Sequence, residues 1–125
     1  MVNVRRGQMW YYAPKHEVSG SVQSGSRPVI IVSNNVINLT SNVLLAIPCT
    51  RQVKRNFPTH VMFVSEGGVA VAITEQVMCI SKDDLTTCLG YIDEYIMEQV
   101  DAAMQVSLGL VETSYTRDIK RLGET

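Results

Sequence analysis

Short apolar runs of four to six residues, each stopped by glycine, proline or small polar residues, leave this chain few ways to fold. Gln8-Met9-Trp10-Tyr11-Tyr12 is rich in strand formers and predicts a first strand at about residues 7–12. Pro28 to Val32 is a β-branched run that predicts a buried strand, with Pro28 at its permitted first position. Val43 to Ile47 predicts a second buried strand. His60 to Val64 and Val69 to Ile73 predict two more, turned by Glu66-Gly67-Gly68. Gln76 to Ile80 and Leu89 to Ile92 predict further short strands. Strands this short and this numerous favour a curled sheet or a small barrel over a flat open sheet.

The segments between the runs are polar. Residues 13–26 form a long loop with Gly20, Gly25 and several serines. Residues 33–42 are a polar connection with room for a helical turn, and 51–56 are a basic loop. Ser81 is a plausible N-cap for a short helix over Lys82 to Leu85. Asp93 is the N-cap candidate for one longer helix, about 94–108. Ile96, Val100, Ala103, Met104 and Leu108 recur there at helical spacing, and Gly109 is a natural stop. Residues 111–125 are polar and aperiodic and read as a tail. The expected organisation is one domain over 1–110 followed by that tail, a mainly β protein with a C-terminal helix packed on its sheet.

Composition narrows the function classes. The chain has 125 residues, 46% of them hydrophobic and 18% charged, which are globular values. No signal peptide is evident, and no apolar run reaches the roughly 20 residues of a membrane span. A soluble, cytoplasmic protein with no membrane contact is the expectation. Cys49, Cys79 and Cys88 are odd in number and lack CxxC spacing, which argues against a disulfide framework or zinc site and for reduced, partly buried thiols. Net charge is only −1, but residues 1–60 carry seven bases and one acid, and residues 61–125 four bases and eleven acids. A basic first half can present an anion-binding face while the whole chain stays near neutral.

Polar residues beside buried strands are where chemistry can sit. In Gln23-Ser24-Gly25-Ser26-Arg27-Pro28 a small-residue loop delivers an arginine to a strand start. Its planar guanidinium matches a phosphate, and small neighbours let a phosphodiester approach the backbone. In Pro48-Cys49-Thr50-Arg51-Gln52 a threonine hydroxyl at a strand exit can donate to a phosphoryl oxygen. Glu75-Gln76 is a third such spot. Each also has a plain structural reading, as an ion pair, a backbone-satisfying hydroxyl or an exposed pair. His16 and His60 are the chain's two histidines and stand in no paired motif. No phosphate-binding glycine loop, paired-histidine metal motif or serine-nucleophile motif is present.

Taken in order, these segments resemble a known family. Arg6-Gly7-Gln8-Met9-Trp10 is similar to the "RGD(I/V)(Y/W)" opening of the MazF/PemK toxins. Residues Gly20 to Val29 resemble their "GSEQxGxRPV" loop, and Ile47-Pro48-Cys49-Thr50 their "(V/I)P(C/L)T" strand end. Phe57-Pro58-Thr59-His60-Val61 looks like "(L/F)PTHV", Glu75-Gln76-Val77 opens a segment like "(E/D)Q(I/V)(R/K)xI", and Ser107-Leu108-Gly109-Leu110 is similar to "SLxL". Each motif is short, but the ordered set spans residues 5 to 110 and is specific.

The resemblance implies an SH3-like barrel of the CcdB/MazF kind with a C-terminal helix, usually a homodimer. It implies a toxin of a type II toxin–antitoxin system, an endoribonuclease of single-stranded RNA that needs no metal or cofactor. A cognate antitoxin would block it, and DNA would be met only through the antitoxin complex. The family's catalytic arginine falls on Arg27 and its catalytic threonine on Thr50. The RNA-binding positions fall on Ser21, Gln23, Gly25, Pro28, Cys49, Arg51, Gln52 and Gln76, with the bases Lys54 and Arg55 beside them. One departure stands out: Val22 replaces the glutamate of "GSEQ", so either Arg27 mainly stabilises charge and the proton moves through solvent, or another group helps, for which His16 and Glu17 in the same loop are the candidates. Two other functions share this outline: a gyrase-binding poison like CcdB, and a non-catalytic nucleic-acid-binding or autoregulatory module.

Overall fold

Antiparallel pairing of the β-branched segments organises the molecule. The computed structural model describes residues 3–15, 25–52, 57–65, 67–114 and 117. Seven strands form one sheet: β1 (Gln8–Tyr12), β2 (Arg27–Ile31), β3 (Val43–Thr50), β4 (His60–Ser65), β5 (Gly68–Ile73), β6 (Met78–Ser81) and β7 (Leu85–Tyr91). The strand order is β4-β5-β3-β2-β1-β7, and β6 pairs with the first half of β3. Among the described residues, the helices α1 (Asn35–Thr40) and α2 (Glu94–Ser107) join the sheet. The sheet curls into a half-barrel with α2 on one face.

The pleat explains why the central runs read as continuously apolar. Along β2, Ile30 faces one core and Val29 and Ile31 the other. On the first face Met9, Ile30, Ile47 and Phe63 pack beneath Met97, Val100 and Ala103 of α2. On the second, Trp10, Val29, Ile31 and Leu44 meet Ile80 and Leu85 inside the curl. A strand covered on both sides needs no polar alternation.

The N-terminal motif holds sheet and helix together. Gly7 has φ +89°, a conformation that favours glycine, and its N–H donates to the Ile31 carbonyl at 2.9 Å. Arg6 donates from Nε to the Val32 carbonyl at 3.1 Å and pairs with Asp101 of α2. Gln8 is buried, and its Oε1 accepts from the Arg5 N–H at 2.8 Å and the Trp10 indole at 2.9 Å.

Several expected boundaries change. The connection at 33–42 holds a full helix, capped by the Asn34 side chain accepting from the Ile37 N–H at 2.9 Å. β3 runs three residues past Ile47 because β5 pairs with Cys49 and Thr50. Gln76 lies in a 3-10 turn, Thr74–Gln76, rather than in a strand; buried Thr74 bonds outward to the Thr59 carbonyl and to Ser107. β7 begins at Leu85, four residues before the expected Leu89, because β1 pairs along its length. Ser81 caps the Lys82–Asp84 turn as expected, through the Asp83 N–H. Asp93 occupies the N-cap position of α2 without a side-chain cap bond. Met97, absent from the expected stripe, is buried, whereas Leu108 is 57% exposed because it is the C-cap. Gly109, at φ +72°, donates to the Val106 carbonyl, and Leu110 donates to that of Gln105, the two bonds of a Schellman ending. Within the expected tail, the Arg117 N–H bonds the Thr113 carbonyl at 3.0 Å, one helical bond where no structure was expected. Among the described residues no helix is long and apolar enough to cross a membrane.

Candidate active site

Strand register decides which polar side chains meet. β2 and β3 pair Val29 with Pro48, Ile30 with Ile47 and Ile31 with Ala46. Arg27, at the start of β2, and Thr50, at the end of β3, lie just past this paired stretch at its same end, where β3 turns to pair with β5 through Cys49 and Thr50. On its other side Arg27 pairs with Tyr12 of β1. Both Arg27 and Thr50 open on one cavity of about 240 Å³. Met9, Pro28, Cys49 and Ala70 supply its apolar lining, Tyr11 an aromatic one, and Ser26 and Arg51 polar rims.

The cavity suits a phosphodiester. Arg27 and Thr50 are each half-buried, so their donors work against less solvent than at an open surface. Thr50 Oγ1 accepts from the Gln52 backbone N–H at 3.2 Å, which leaves its own O–H to donate. Arg51 is exposed, and its Nη1 makes a long bond to the Val69 carbonyl at 3.5 Å. Its guanidinium lies across Gly67, where an added Cβ would sit 2.7 Å from Cζ. A glycine is therefore what lets this cation lie beside the cavity.

Cys49 adjoins Thr50 and is the obvious competing nucleophile. It is 3% exposed, and burial pushes its thiol up to about 12, against the weaker opposing pull of the Arg51 charge. A thiol that stays protonated is a poor nucleophile, so Cys49 is lining rather than a reactive group. The expectation of partly buried thiols holds for none of the three: Cys49 is buried, and Cys79 and Cys88 are exposed. Near neutral pH, alkylation by iodoacetamide under native conditions is therefore expected at Cys79 and Cys88 and not at Cys49, as read by mass spectrometry. Modification of Cys49 at the same rate would show this core to be open.

The Glu75-Gln76 segment lies elsewhere. His60 Nε2 meets Glu75 Oε2 at 2.8 Å, and Phe57 stands edge-on to the His60 ring. Partial burial alone would raise the Glu75 carboxyl. Hydrogen bonds from His60, its own backbone and Thr59, with the His60 charge, outweigh that and hold it below its ordinary 4.5. A lowered carboxyl stabilises the fold above its unfolded value and loses that contribution as pH falls through its folded one. The stability difference between the wild type and Glu75→Gln is therefore expected to shrink as pH falls from 4.5 through the lower folded value. Urea midpoints across that acid range check this, and a difference that grew there on acidification would contradict it. Gln76 is half-buried on the same turn, its Oε1 without a hydrogen-bond partner among the described residues, and it does not line the cavity.

Of the sequence-derived site residues, the cavity gathers Arg27, Thr50, Pro28, Cys49 and Arg51. Gly25 and Gln52 are exposed near it in sequence but do not line it. Ser21, Gln23, Lys54, Arg55, His16 and Glu17, with Val22, lie outside the described residues. Sequence reasoning missed Met9 and Ala70, which carry no polar signal, and read Tyr11, the cavity's aromatic, as a strand former. Among the described residues no three His, Cys, Asp or Glu side chains gather as a metal-holding group.

Comparison with known proteins gives the same outline. A family model described as PemK-like, MazF-like toxin of type II toxin–antitoxin systems matches residues 5–108. Endoribonuclease EndoA of Bacillus subtilis is 34% identical over 114 residues, covering 87% of this chain and 97% of that protein. MazF of Deinococcus radiodurans superposes with a TM-score of 0.76 at 18% identity, over 87% of this chain and 99% of that one. A mycobacterial endoribonuclease solved with its cognate antitoxin superposes at 0.73 with 24% identity, over 88% and 99%. An SH3-like half-barrel with a C-terminal helix, a match across nearly the whole sheet and helix and a relative a third identical lead to one conclusion: the chain belongs to the PemK-like, MazF-like toxins of type II toxin–antitoxin systems.

Proposed function

We propose that this chain is a sequence-specific endoribonuclease that cleaves single-stranded RNA at the Arg27–Thr50 cavity. The observation that carries the reading is that a guanidinium and a hydroxyl, from the ends of β2 and β3, line one small cavity. The RNA 2′-OH attacks the adjacent phosphorus, so the substrate brings its own nucleophile and no metal-bound water is required. The 5′-oxygen leaves and takes up a proton, giving a 2′,3′-cyclic phosphate and a 5′-hydroxyl end. Arg27 holds the phosphate in line and stabilises the phosphorane charge; Thr50 donates to a non-bridging oxygen. A guanidinium offers only donors, so proton removal falls to His16 or Glu17 or to solvent. Full rates in both His16→Ala and Glu17→Ala would leave solvent as the acceptor.

RNA enters over a face that carries Arg51, Gly25, Pro28 and Gln52, and Ser21, Gln23, Lys54, Arg55 and Gln76 are the further residues expected to contact it. The protein acts as a cytoplasmic homodimer, a cognate antitoxin segment covers the same face, and DNA is contacted only through the antitoxin complex. The solved mycobacterial complex with antitoxin supports that partner.

The test is the chemistry of the ends. Incubating the chain with a long single-stranded RNA in EDTA is expected to produce discrete cuts with 5′-hydroxyl termini. A substrate with 2′-deoxyribose at the scissile nucleotide should stay intact. Uncut RNA, or cuts that survive the deoxy substitution, would refute the mechanism. Gyrase inhibition with intact RNA would move the reading to a poison, and binding without cleavage to a passive module.

Gly67→Ala gives a milder test of the same face. The added methyl meets the far end of a flexible side chain, so Arg51 swings away at little cost to the fold. RNA binding is then expected to weaken, and the slope of log affinity against log salt to flatten by about one unit. An unchanged slope would place Arg51 off the RNA path.

A further inference from the structure

The sheet ends at β4 on one side and β7 on the other, and the curl brings these two edges together without pairing them. Phe63 and Ser65 of β4 face Leu89 and Tyr91 of β7 across a cavity of about 260 Å³ that also touches Asp93 and Ile96. This seam is continuous with the proposed active site. A middle cavity of about 410 Å³ shares Arg51 with the Arg27–Thr50 cavity, and shares Ser65 and Leu89 with the seam, while Met9 lines all three.

Two local features shape the seam. β7 carries a bulge against β1: Met9 pairs with Gly90 and Trp10 with Cys88, so Leu89 is the extra residue. Gly90 takes φ +109°, and consecutive residues Cys88 and Leu89 both reach the groove, which a regular pleat forbids. Asp93 holds the N-cap position of α2 but makes no cap bond, and it borders the seam instead. The seam therefore offers an aromatic ring that is 65% exposed, apolar neighbours and a carboxylate. A phosphate is repelled by that carboxylate; a base is not.

We propose that the seam is a nucleobase subsite, in which a base flanking the scissile phosphate stacks on Tyr91 and presents a donor to Asp93. This rests on the endoribonuclease reading. An ionised carboxylate only accepts, so Asp93 favours a base with an exocyclic amino group over uracil, whose single edge donor, N3–H, lies between two carbonyl oxygens that the carboxylate repels. The seam is thus a determinant of cleavage sequence.

The experiment is internal competition on oligoribonucleotides whose bases around one cleavage motif are randomised, using the full chain and Tyr91→Ala, Tyr91→Phe and Asp93→Asn. Asparagine keeps N-cap character, and Tyr91→Phe keeps the ring. Ratios within one tube are insensitive to the fraction of folded enzyme. Tyr91→Ala is expected to lower kcat/KM for the preferred base at one flanking position by about five- to a hundredfold, with Tyr91→Phe close to wild type. Asp93→Asn is expected to relax discrimination against uracil at that position. Unchanged profiles in both variants would overturn the subsite, as would variants that lose only binding of an acidic peptide, which would make the seam a protein site. If the wild type cuts no RNA, the endoribonuclease reading is what fails. Binding of a 2′-deoxy oligonucleotide then decides the seam: weakening by Tyr91→Ala supports it, and equal affinity overturns it.

Discussion

Replacing Arg27 with alanine is expected to slow RNA cleavage by about 10²–10³-fold, the cost of one preorganised donor at a developing oxyanion, or about 2.7–4 kcal/mol of transition-state stabilisation. The loss should fall on kcat more than on KM, because the phosphorane carries more charge than the diester it forms from. Arg27→Lys keeps the charge but not the planar fork, and is expected to recover only part of the rate. Thr50→Ala should show a loss of the same order, while Thr50→Ser, which retains the hydroxyl, should stay near wild type. Single-turnover cleavage of one defined oligoribonucleotide reads all four. Thr50 and Arg27 line the same cavity, so the double alanine variant should lose less than the product of the single losses. Full activity in Arg27→Ala would move the phosphate site away from this cavity.

The largest stability effect is expected at Ile47. It is fully buried, stands opposite Ile30 on β2 and packs in the cluster that includes Val100 and Ala103 of α2. Ile47→Ala removes buried methyl groups and leaves a cavity that a sheet clamped beneath a helix closes poorly. The expected cost is about 2–5 kcal/mol, a large part of the roughly 5–15 kcal/mol that holds a domain together. Leu45, two residues earlier, is the control. The pleat gives it the same face as Ile47, yet it is 42% exposed because α2 does not extend over it. Leu45→Ala is expected to shift stability by about 0.5 kcal/mol or less. Urea denaturation of the two variants checks the pair, and equal losses would mean that the helix covers the whole face.

The contrast between Leu45 and Ile47 shows the reach of local reading. Their chemistry and pleat position are alike, and nothing within a few residues of either says which one lies under α2. The expected strands were found, with ends displaced by one to four residues wherever a distant strand prolonged the pairing, as β5 does for Cys49 and Thr50. Asp93 shows the reverse. A residue with N-cap propensity sits at the N-cap and makes no cap bond, where the seam borders it.

By itself the sequence determined the propensities: β-branched runs that must pair, a glycine at 109 that ends the helix, a serine at 81 that caps a turn, and an arginine and a threonine set beside buried strands. These follow from backbone sterics and side-chain chemistry that act over a few residues. Only the tertiary structure decided that Arg27 and Thr50 line one cavity, that the bulge at Leu89 turns β7 into the groove, and that β4 and β7 approach without joining. The reason is register. Pairing is set by the summed burial of residues far apart in the chain, and a one-residue slip would turn the apolar set of each strand out of its core.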